Sequence, residues 1–177
     1  MRAFQVYFSL DAKRLYTLQN NMARRIILLV NLVWVSLMVG GTFVVYLIYN
    51  PKGMSAAFYV ETMQHGIRSL LPLAVLMFFG LFFTVTSAVL ARRDRPNLYL
   101  LVATSICIVA AVLLTLFGNW PINNQIITWI ANSPPSNWTE LRDAWWRFHV
   151  ARFVMGIIGL SCLLLATLKR SSTARTI

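Results

Sequence analysis

Long apolar stretches are the feature that most constrains this chain. A helix needs about 20 mostly apolar residues to cross the hydrocarbon core of a bilayer. The sequence offers four such stretches, and we place spans at about 26–49, 69–91, 98–118 and 149–168. Backbone polar groups cannot stay unpaired in lipid, and the stretches lack the alternation of barrel strands, so they predict helices. We therefore predict an all-α, multi-pass integral membrane four-helix bundle with a structured extracytoplasmic loop, residues 119–148, between spans 3 and 4.

The fourth span differs from the other three because its uncharged run is short. That run extends only over Phe153–Leu168. To reach the length of about 20 residues that a membrane helix needs, the span must take in His149 and Arg152. The sequence thus predicts an ionisable pair at or just inside the membrane boundary.

The basic residues predict the orientation of the chain. With 58% hydrophobic and 12% charged residues, the composition argues against an ordinary soluble enzyme. Eleven of the 16 Lys and Arg residues fall on one side of a four-span topology. They are Arg2, Lys13, Arg14, Arg24, Arg25, Arg92, Arg93, Arg95, Lys169, Arg170 and Arg175. The positive-inside rule then places both termini in the cytoplasm, and we expect a bacterial inner membrane location. The net charge of +11 is mainly a topology signal, with anionic lipid binding as an added alternative and no nucleic-acid partner.

The N-terminal segment, residues 1–25, is basic and carries apolar residues at roughly helical spacing. This pattern is compatible with an amphipathic helix in the plane of the membrane or with a mobile basic tail. The sequence contains no internal repeat and no linker, so we treat residues 1–177 as a single membrane domain.

A stripe of polar and aromatic residues follows the start of the last helix. Asn137 and Glu140 have the spacing of a capping box, which predicts that this helix begins near residue 137. Steps of three, four, three and four then connect five residues on one helix face. They are Arg142, Trp145, His149, Arg152 and Gly156. Because charged side chains are costly in lipid, we expect this face to point into the bundle or toward the loops.

The chain has two histidines, His65 before the second span and His149 at the start of the fourth. We expect them at a similar depth, where they would form an acid–base pair or hold a metal or haem. The structural alternative is that each hydrogen-bonds a loop carbonyl or an Asn side chain. Two histidines without a neighbouring Cys or carboxylate cluster are a weak metal signal, so we expect no cofactor and keep haem or a metal between them as the alternative.

The second half of the chain contains a series of polar and aromatic motifs. They are Asn119-Trp-Pro-Ile-Asn123-Asn124, Trp129, Pro134-Pro-Ser-Asn-Trp138, Leu141-Arg142-Asp143, Trp145 and His149-x-x-Arg152. This series resembles the anthrone oxygenase-like family of small four-span membrane proteins, and the resemblance is specific over Asn119–Arg152 and looser elsewhere. Named fungal members of the family oxidise anthrones to anthraquinones without metal, flavin or haem. The resemblance therefore implies a cofactor-free monooxygenase-type reaction.

The resemblance also implies roles for individual residues. The implied catalytic residues are His149 as a proton acceptor, Arg152 as a stabiliser of phenolate or enolate charge, and Asn123 as a hydrogen-bonding group. The implied substrate-binding residues are His65, Asn119, Asn124, Trp129, Arg142 and Trp145.

Two functions are compatible with these patterns. The first is an oxygenase-like enzyme or a binder for a lipophilic aromatic small molecule at the outer face of the membrane. The second is a non-enzymatic accessory or assembly subunit, in which the same residues clamp the outer loop onto the bundle. Beyond membrane lipid, the expected partners are such an aromatic ligand and further copies of the chain or a larger membrane complex.

Overall fold

The computed structural model describes the backbone of residues 2–48, 51, 53–69 and 71–173, and the side chains of 18–48, 51, 53–69 and 75–169. Within these residues the fold is all-α, as predicted. The helices are α1 (Arg2–Ile48), α2 (Ala56–Arg68), α3 (Leu71–Leu90), α4 (Arg95–Leu114), α5 (Trp120–Ile126) and α6 (Trp138–Thr173). A π-helical turn, Thr115–Asn119, joins α4 to α5 without a break. The described part contains no strand, only an isolated bridge between Ile130 and Ser133.

Four of the helices pack side by side around a common apolar core. Helix α1 packs against α3 and α6, and α4 packs against the same two helices. The core between them includes Leu28, Val35, Met38, Leu101, Ile108 and Leu163. A buried hydrogen bond of 2.9 Å from the Thr84 hydroxyl to Asn31 Oδ1 adds a polar link between α1 and α3. Such links between helices are typical of membrane interiors, where the hydrophobic effect does not drive helices together.

Three helical stretches are long and apolar enough to cross a membrane. They are Leu18–Ile48, Arg95–Ile126 and Trp138–Lys169, and a shorter apolar stretch covers Val75–Leu90. Their outward surfaces carry large apolar side chains, for example Phe78, Ile106 and Phe117. Apolar surface of this extent on the outside of a bundle is typical of contact with lipid.

The connection between the third and fourth predicted spans is shorter than expected. The sequence predicts a loop over 119–148, whereas α5 continues to Ile126 and α6 already begins at Trp138. The apolar run of the third predicted span ends at Gly118, and the polar residues and the proline that follow it are typical of a loop. In the structure the π-helical turn lies directly before Pro121, and the Trp120 N–H donates to the Thr115 carbonyl, one residue farther back than in an α-helix. This wider turn lets the helix continue through the proline.

The segment between the first two predicted spans also differs from the expectation of a loop, since it forms α2. Ser55 caps this helix, and its hydroxyl accepts a hydrogen bond of 3.4 Å from the Phe58 N–H. Tyr59, Val60 and Met63 lie on one face and are buried against the α5 segment. The spacing of three and four residues between buried positions is the ordinary pattern of an amphipathic helix.

Two features of the long helices bear on the sequence predictions. Helix α6 begins directly after Asn137, as the capping pattern predicts, and its 36 residues span about 54 Å. It is therefore longer than the hydrocarbon core of about 30 Å. Helix α1 is one unbroken helix from Arg2 to Ile48. The side chains of 1–17 lie outside the described residues, so the amphipathic face of the N-terminal segment stays a prediction.

A close approach between the π-helical turn and α6 gives a test of this packing. A Cβ added to Gly118 would lie 2.5 Å from Phe148 Cγ, whereas a Cβ on Gly40 would meet no atom within 4 Å. Gly118→Ala should therefore lower the free energy of unfolding by about 1–3 kcal/mol. Gly40→Ala, the matched control on α1, should be neutral or stabilising by up to about 1 kcal/mol. Thermal unfolding in detergent measures both, and equal melting temperatures would contradict the close approach.

Candidate functional site

The candidate site lies where α6 faces the π-helical turn, and its centre is the pair His149 and Arg152. The His149 side chain is fully buried, and Arg152 is 6% exposed. Their spacing of three residues places both on the same face of α6. Arg152 Nη2 lies 2.8 Å from His149 Nδ1, and Arg152 Nη1 donates to the Thr115 hydroxyl at 3.1 Å. The guanidinium thus connects the last helix to the π-helical turn.

The contact between the two side chains determines the role of each nitrogen of His149. A guanidinium has only donors, so Nδ1 must accept from Arg152 and the imidazole is neutral, with its proton on Nε2. Nε2 is buried and has no hydrogen-bond partner among the described residues. The imidazole interacts with the backbone of Thr42 on α1, but this contact does not have the geometry of a hydrogen bond to Nε2. The ring therefore presents an N–H donor that the described protein groups do not use.

Arg152 is a buried cation without a carboxylate partner in the described part of the chain. An ion pair joins Arg142 to Asp143, whereas no described carboxylate pairs with Arg152, and Arg152 Nε also lacks a hydrogen-bond partner there. Burying a charge without a counter-ion is costly, and an intramembrane cation of this kind marks a functional site by default. The arrangement is suited to receive an anionic oxygen, which would offset that cost.

Aromatic rings enclose the imidazole of His149. Trp145 stacks on it at 5.3 Å between ring centroids with 5° between the planes, and Trp146 lies at 5.6 Å and 28°. The Trp145 N–H donates to Asn123 Oδ1 at 2.8 Å, and its carbonyl accepts from Asn119 Nδ2 at 3.0 Å. These bonds fix the α5 segment to α6 and leave the imidazole little room to rotate.

The structure brings together five of the residues that the sequence predicts for the site. They are Asn119, Asn123, Trp145, His149 and Arg152, and all five are buried. The predicted inward orientation of the stripe on α6 is confirmed from Trp145 to Gly156, which is also buried. Arg142, the first residue of the stripe, is only half-buried. Its Nε donates to Asp143 Oδ1 at 2.9 Å, and its guanidinium lies 5.1 Å from the Trp138 ring.

Three of the predicted substrate-binding residues are not buried as this group is. His65 is exposed on α2 while His149 is fully buried, so the two rings do not share one buried site in the structure. Asn124 is exposed on α5. Trp129 is half-buried, and its backbone carbonyl serves as an acceptor for Gln64. Among the described residues, no group of three or more His, Cys, Asp or Glu side chains could hold a metal ion.

Sequence reasoning missed several residues that contact the site or its surroundings. Thr115 holds Arg152, and Trp146 flanks His149. Tyr59 is almost fully buried beside Trp138, its hydroxyl has no partner among the described groups, and burial raises the pKa of its phenol. Thr115 was the detectable case, because it is a polar residue near the end of an apolar run. The contacts of the other residues depend on long-range packing.

Hydrogen bonds from Gln64 hold the connection between α5 and α6 against α2. We call this contact the latch, and it gives a second test. Its Nε2 donates to the carbonyls of Ile126 and Trp129, each at 2.9 Å. Gln64→Ala should remove the Gln64 donor from the Trp129 carbonyl, whereas the Ile126 carbonyl keeps the Trp129 N–H at 3.1 Å, at a local cost of about 1–3 kcal/mol. We expect faster hydrogen exchange over 127–137, measured by mass spectrometry in detergent. His65→Ala, on the next and exposed position of the same helix, should leave exchange unchanged, and an equal effect of both variants would contradict the latch.

These observations indicate the class of protein to which the chain belongs. It is an all-helical protein with membrane-length apolar helices, and it buries an imidazole and an uncompensated guanidinium among them. The family model described as anthrone oxygenase matches residues 59–162, more than half of the chain, and the chain belongs to that family. No curated protein and no solved structure shows significant similarity to it. The matched region includes both hydrogen-bond partners of Arg152, Thr115 and His149, but excludes α1.

Proposed function

We propose that the chain is a four-span membrane enzyme that binds the oxygen anion of a lipophilic phenolic aromatic and promotes its oxygenation without a cofactor. The observation that carries this proposal is the buried Arg152 guanidinium, which has no carboxylate partner in the described residues and lies 2.8 Å from His149. Family membership supports the reaction class. Fold and family alone do not fix a substrate, so the proposal depends on the chemistry of this pair.

The pair supplies positive potential and two donor groups that point in different directions, because His149 Nδ1 faces Arg152 and Nε2 lies on the other side of the ring. Arg152 carries a fixed charge, and the unused Nε2–H of His149 is a second donor. Donors prepared in advance for a developing oxyanion are commonly the largest single contribution to catalysis. They would stabilise the phenolate or enolate form of the substrate, and the resulting electron-rich carbon would react with O2. For an anthrone, the methylene loses two hydrogens and gains one oxygen atom, and the other oxygen atom leaves as water.

This arrangement modifies the role that the family resemblance implies for His149. The lone pair on Nδ1 is already occupied by Arg152, so His149 acts first as a donor through Nε2. A bound oxyanion that draws Arg152 Nη2 toward itself would release Nδ1, which could then accept a proton. Asn123 becomes a positioning residue in this proposal, since its Oδ1 holds the Trp145 ring against the imidazole.

The proposed topology has four spans with both termini in the cytoplasm. Helix α3 supplies the remaining span, because Leu71–Leu90 contains 20 residues and packs between α1 and α4. The asymmetry of Lys and Arg supports the orientation. The Arg152 pair then lies in the outer half of a bacterial inner membrane, where a lipophilic substrate would enter from the lipid.

The test compares a hydroxyanthrone with its fully methylated enol ether, in which the phenol oxygen and the enol oxygen are both blocked, on the full chain in lipid nanodiscs. The free phenol can ionise and the ether cannot, so an oxyanion site should bind the phenol at least about tenfold more tightly. Quenching of tryptophan fluorescence measures binding, and oxygen uptake together with quinone absorbance measures turnover. Equal binding of both compounds would contradict the oxyanion site. Tight binding without oxygen uptake would reduce the proposal to a binding protein.

The alternative is an accessory subunit in a membrane complex. The latch of Gln64 and the bonds between Asn119, Asn123 and Trp145 favour it, because they fix the outer segment as a shaped surface. Native mass spectrometry of gently extracted protein distinguishes the two functions. A stoichiometric protein partner, together with no binding of the hydroxyanthrone, would favour the subunit.

A further inference from the structure

A long apolar groove runs between α3 and α4, outside the Arg152 site. Its volume is about 760 Å³. Helix α3 contributes Val85 and Val89, and α4 contributes residues from Leu98 to Leu113. The hydroxyl of Ser105, which also lines the groove, already donates to the Leu101 carbonyl at 3.0 Å. The groove therefore offers an apolar wall with little hydrogen-bonding capacity.

The groove is long enough to hold the acyl chain of a lipid. The 15 residue steps from Leu98 to Leu113 on α4 cover about 22 Å. One leaflet of the hydrocarbon core is about 15 Å thick, half of the total. An extended acyl chain would thus lie along the helices within the groove.

A single charged residue, Arg92, lines the groove, and it lies at one end. It follows α3, which ends at Leu90, so it stands where the helices leave the bilayer. Arg93 and Arg95 are its neighbours, and Asp94 is the one acid between them, which gives this connection a formal charge of 3 − 1 = +2. Within the described residues Arg92 forms no ion pair. Basic groups between helices at a membrane face attract anionic headgroups.

We propose that this groove binds an anionic phospholipid, with an acyl chain between α3 and α4 and the phosphate at Arg92. An apolar groove with one cationic end is complementary to an amphiphile with one anionic end. A second copy of the chain is a poorer occupant, because two copies inserted in the same direction would bring their +2 connections to the same membrane face. The site is independent of the Arg152 pair, which lies on α6 and faces the π-helical turn.

The experiment uses native mass spectrometry of the full chain released from nanodiscs of equal phosphatidylglycerol and phosphatidylethanolamine. The wild type should retain one phosphatidylglycerol in preference to phosphatidylethanolamine, by about fivefold for one basic group at the surface. Arg92→Gln should abolish this preference. Arg93→Gln, which removes the same charge outside the groove lining, is the matched control and should keep most of it. Equal losses in the two variants would overturn the proposal, since the charge of the connection alone would then explain binding.

A second variant tests the groove itself without changing charge. Ala110 lines the groove and is half-buried, so Ala110→Trp should fill it and reduce retention of both lipids. The melting temperature verifies that the variant folds. Unchanged lipid retention would overturn the proposal. Loss of a dimer with lipid retention unaffected would do so as well, and would assign the groove to a second copy of the chain.

Discussion

Arg152→Met should leave the protein at least as stable as the wild type while it lowers hydroxyanthrone turnover by about 100-fold or more. Removal of the guanidinium takes away a buried charge that no described carboxylate neutralises, and such charges cost several kcal/mol. The loss leaves His149 Nδ1 without its donor, at about 1–3 kcal/mol. Thr115 loses little, because its hydroxyl also donates to the Ala111 carbonyl at 2.8 Å. The two effects oppose each other, so the net change in stability is small or favourable.

The measurements are thermal unfolding in detergent and oxygen uptake in nanodiscs, on the same preparation. Arg147→Met is the control, because Arg147 is exposed on the same helix, and it should change neither quantity. Arg152→Lys retains the charge but lacks the planar fork, and should recover part of the turnover. A large fall in stability for Arg152→Met, parallel to the loss of turnover, would assign Arg152 to the fold and remove it from the site.

Trp145→Phe should lower the free energy of unfolding by about 1–3 kcal/mol, and Trp145→Ala by about 3–5 kcal/mol. The Phe variant keeps a ring near His149 but leaves Asn123 Oδ1 without the indole N–H that it accepts at 2.8 Å. The Ala variant loses the ring, which is stacked on the imidazole at 5.3 Å. Because the ring holds His149 in place, both variants should also lower turnover.

A double variant separates the hydrogen bond from the packing. When both partners of a buried hydrogen bond become apolar, much of the penalty disappears, so Trp145→Phe with Asn123→Leu should be more stable than Trp145→Phe alone. Trp120→Phe is the control, because Trp120 is exposed on α5, and its melting temperature should match the wild type. Additive losses in the double variant would show that the two side chains are not coupled.

The sequence was informative where contacts are local. The stripe from Trp145 through His149 to Arg152 was predictable because helical spacing alone places these residues on one face. The sequence could not establish whether His65 lies beside His149. A similar depth of two residues in the membrane does not determine the direction in which each side chain points around its helix. Adjacent helical residues point about 100° apart, and it is Gln64 that faces the α5 segment.

The remaining differences come from contacts between distant segments. Thr115 meets Arg152 across 37 residues, and no periodic pattern reports such a contact. The loop predicted over 119–148 starts where the apolar run ends at Gly118, whereas the π-helical turn carries the helix on to Ile126. The family resemblance supplied the residue types of the site, and it did not supply their hydrogen-bonding roles. The role of His149 followed only from the distance between its Nδ1 and Arg152.

The π-helical turn also has a consequence for how this region tolerates change over evolution. One additional residue in a turn advances every later residue by about 100° around the helix axis. Asn119 and Asn123 reach Trp145 only in that phase. Deletion of one residue from 115–119 would rotate both amides away from α6 even if every site residue were retained. Homologous sequences should therefore keep the length of this turn even where its exposed residues, Leu116 and Phe117, are replaced.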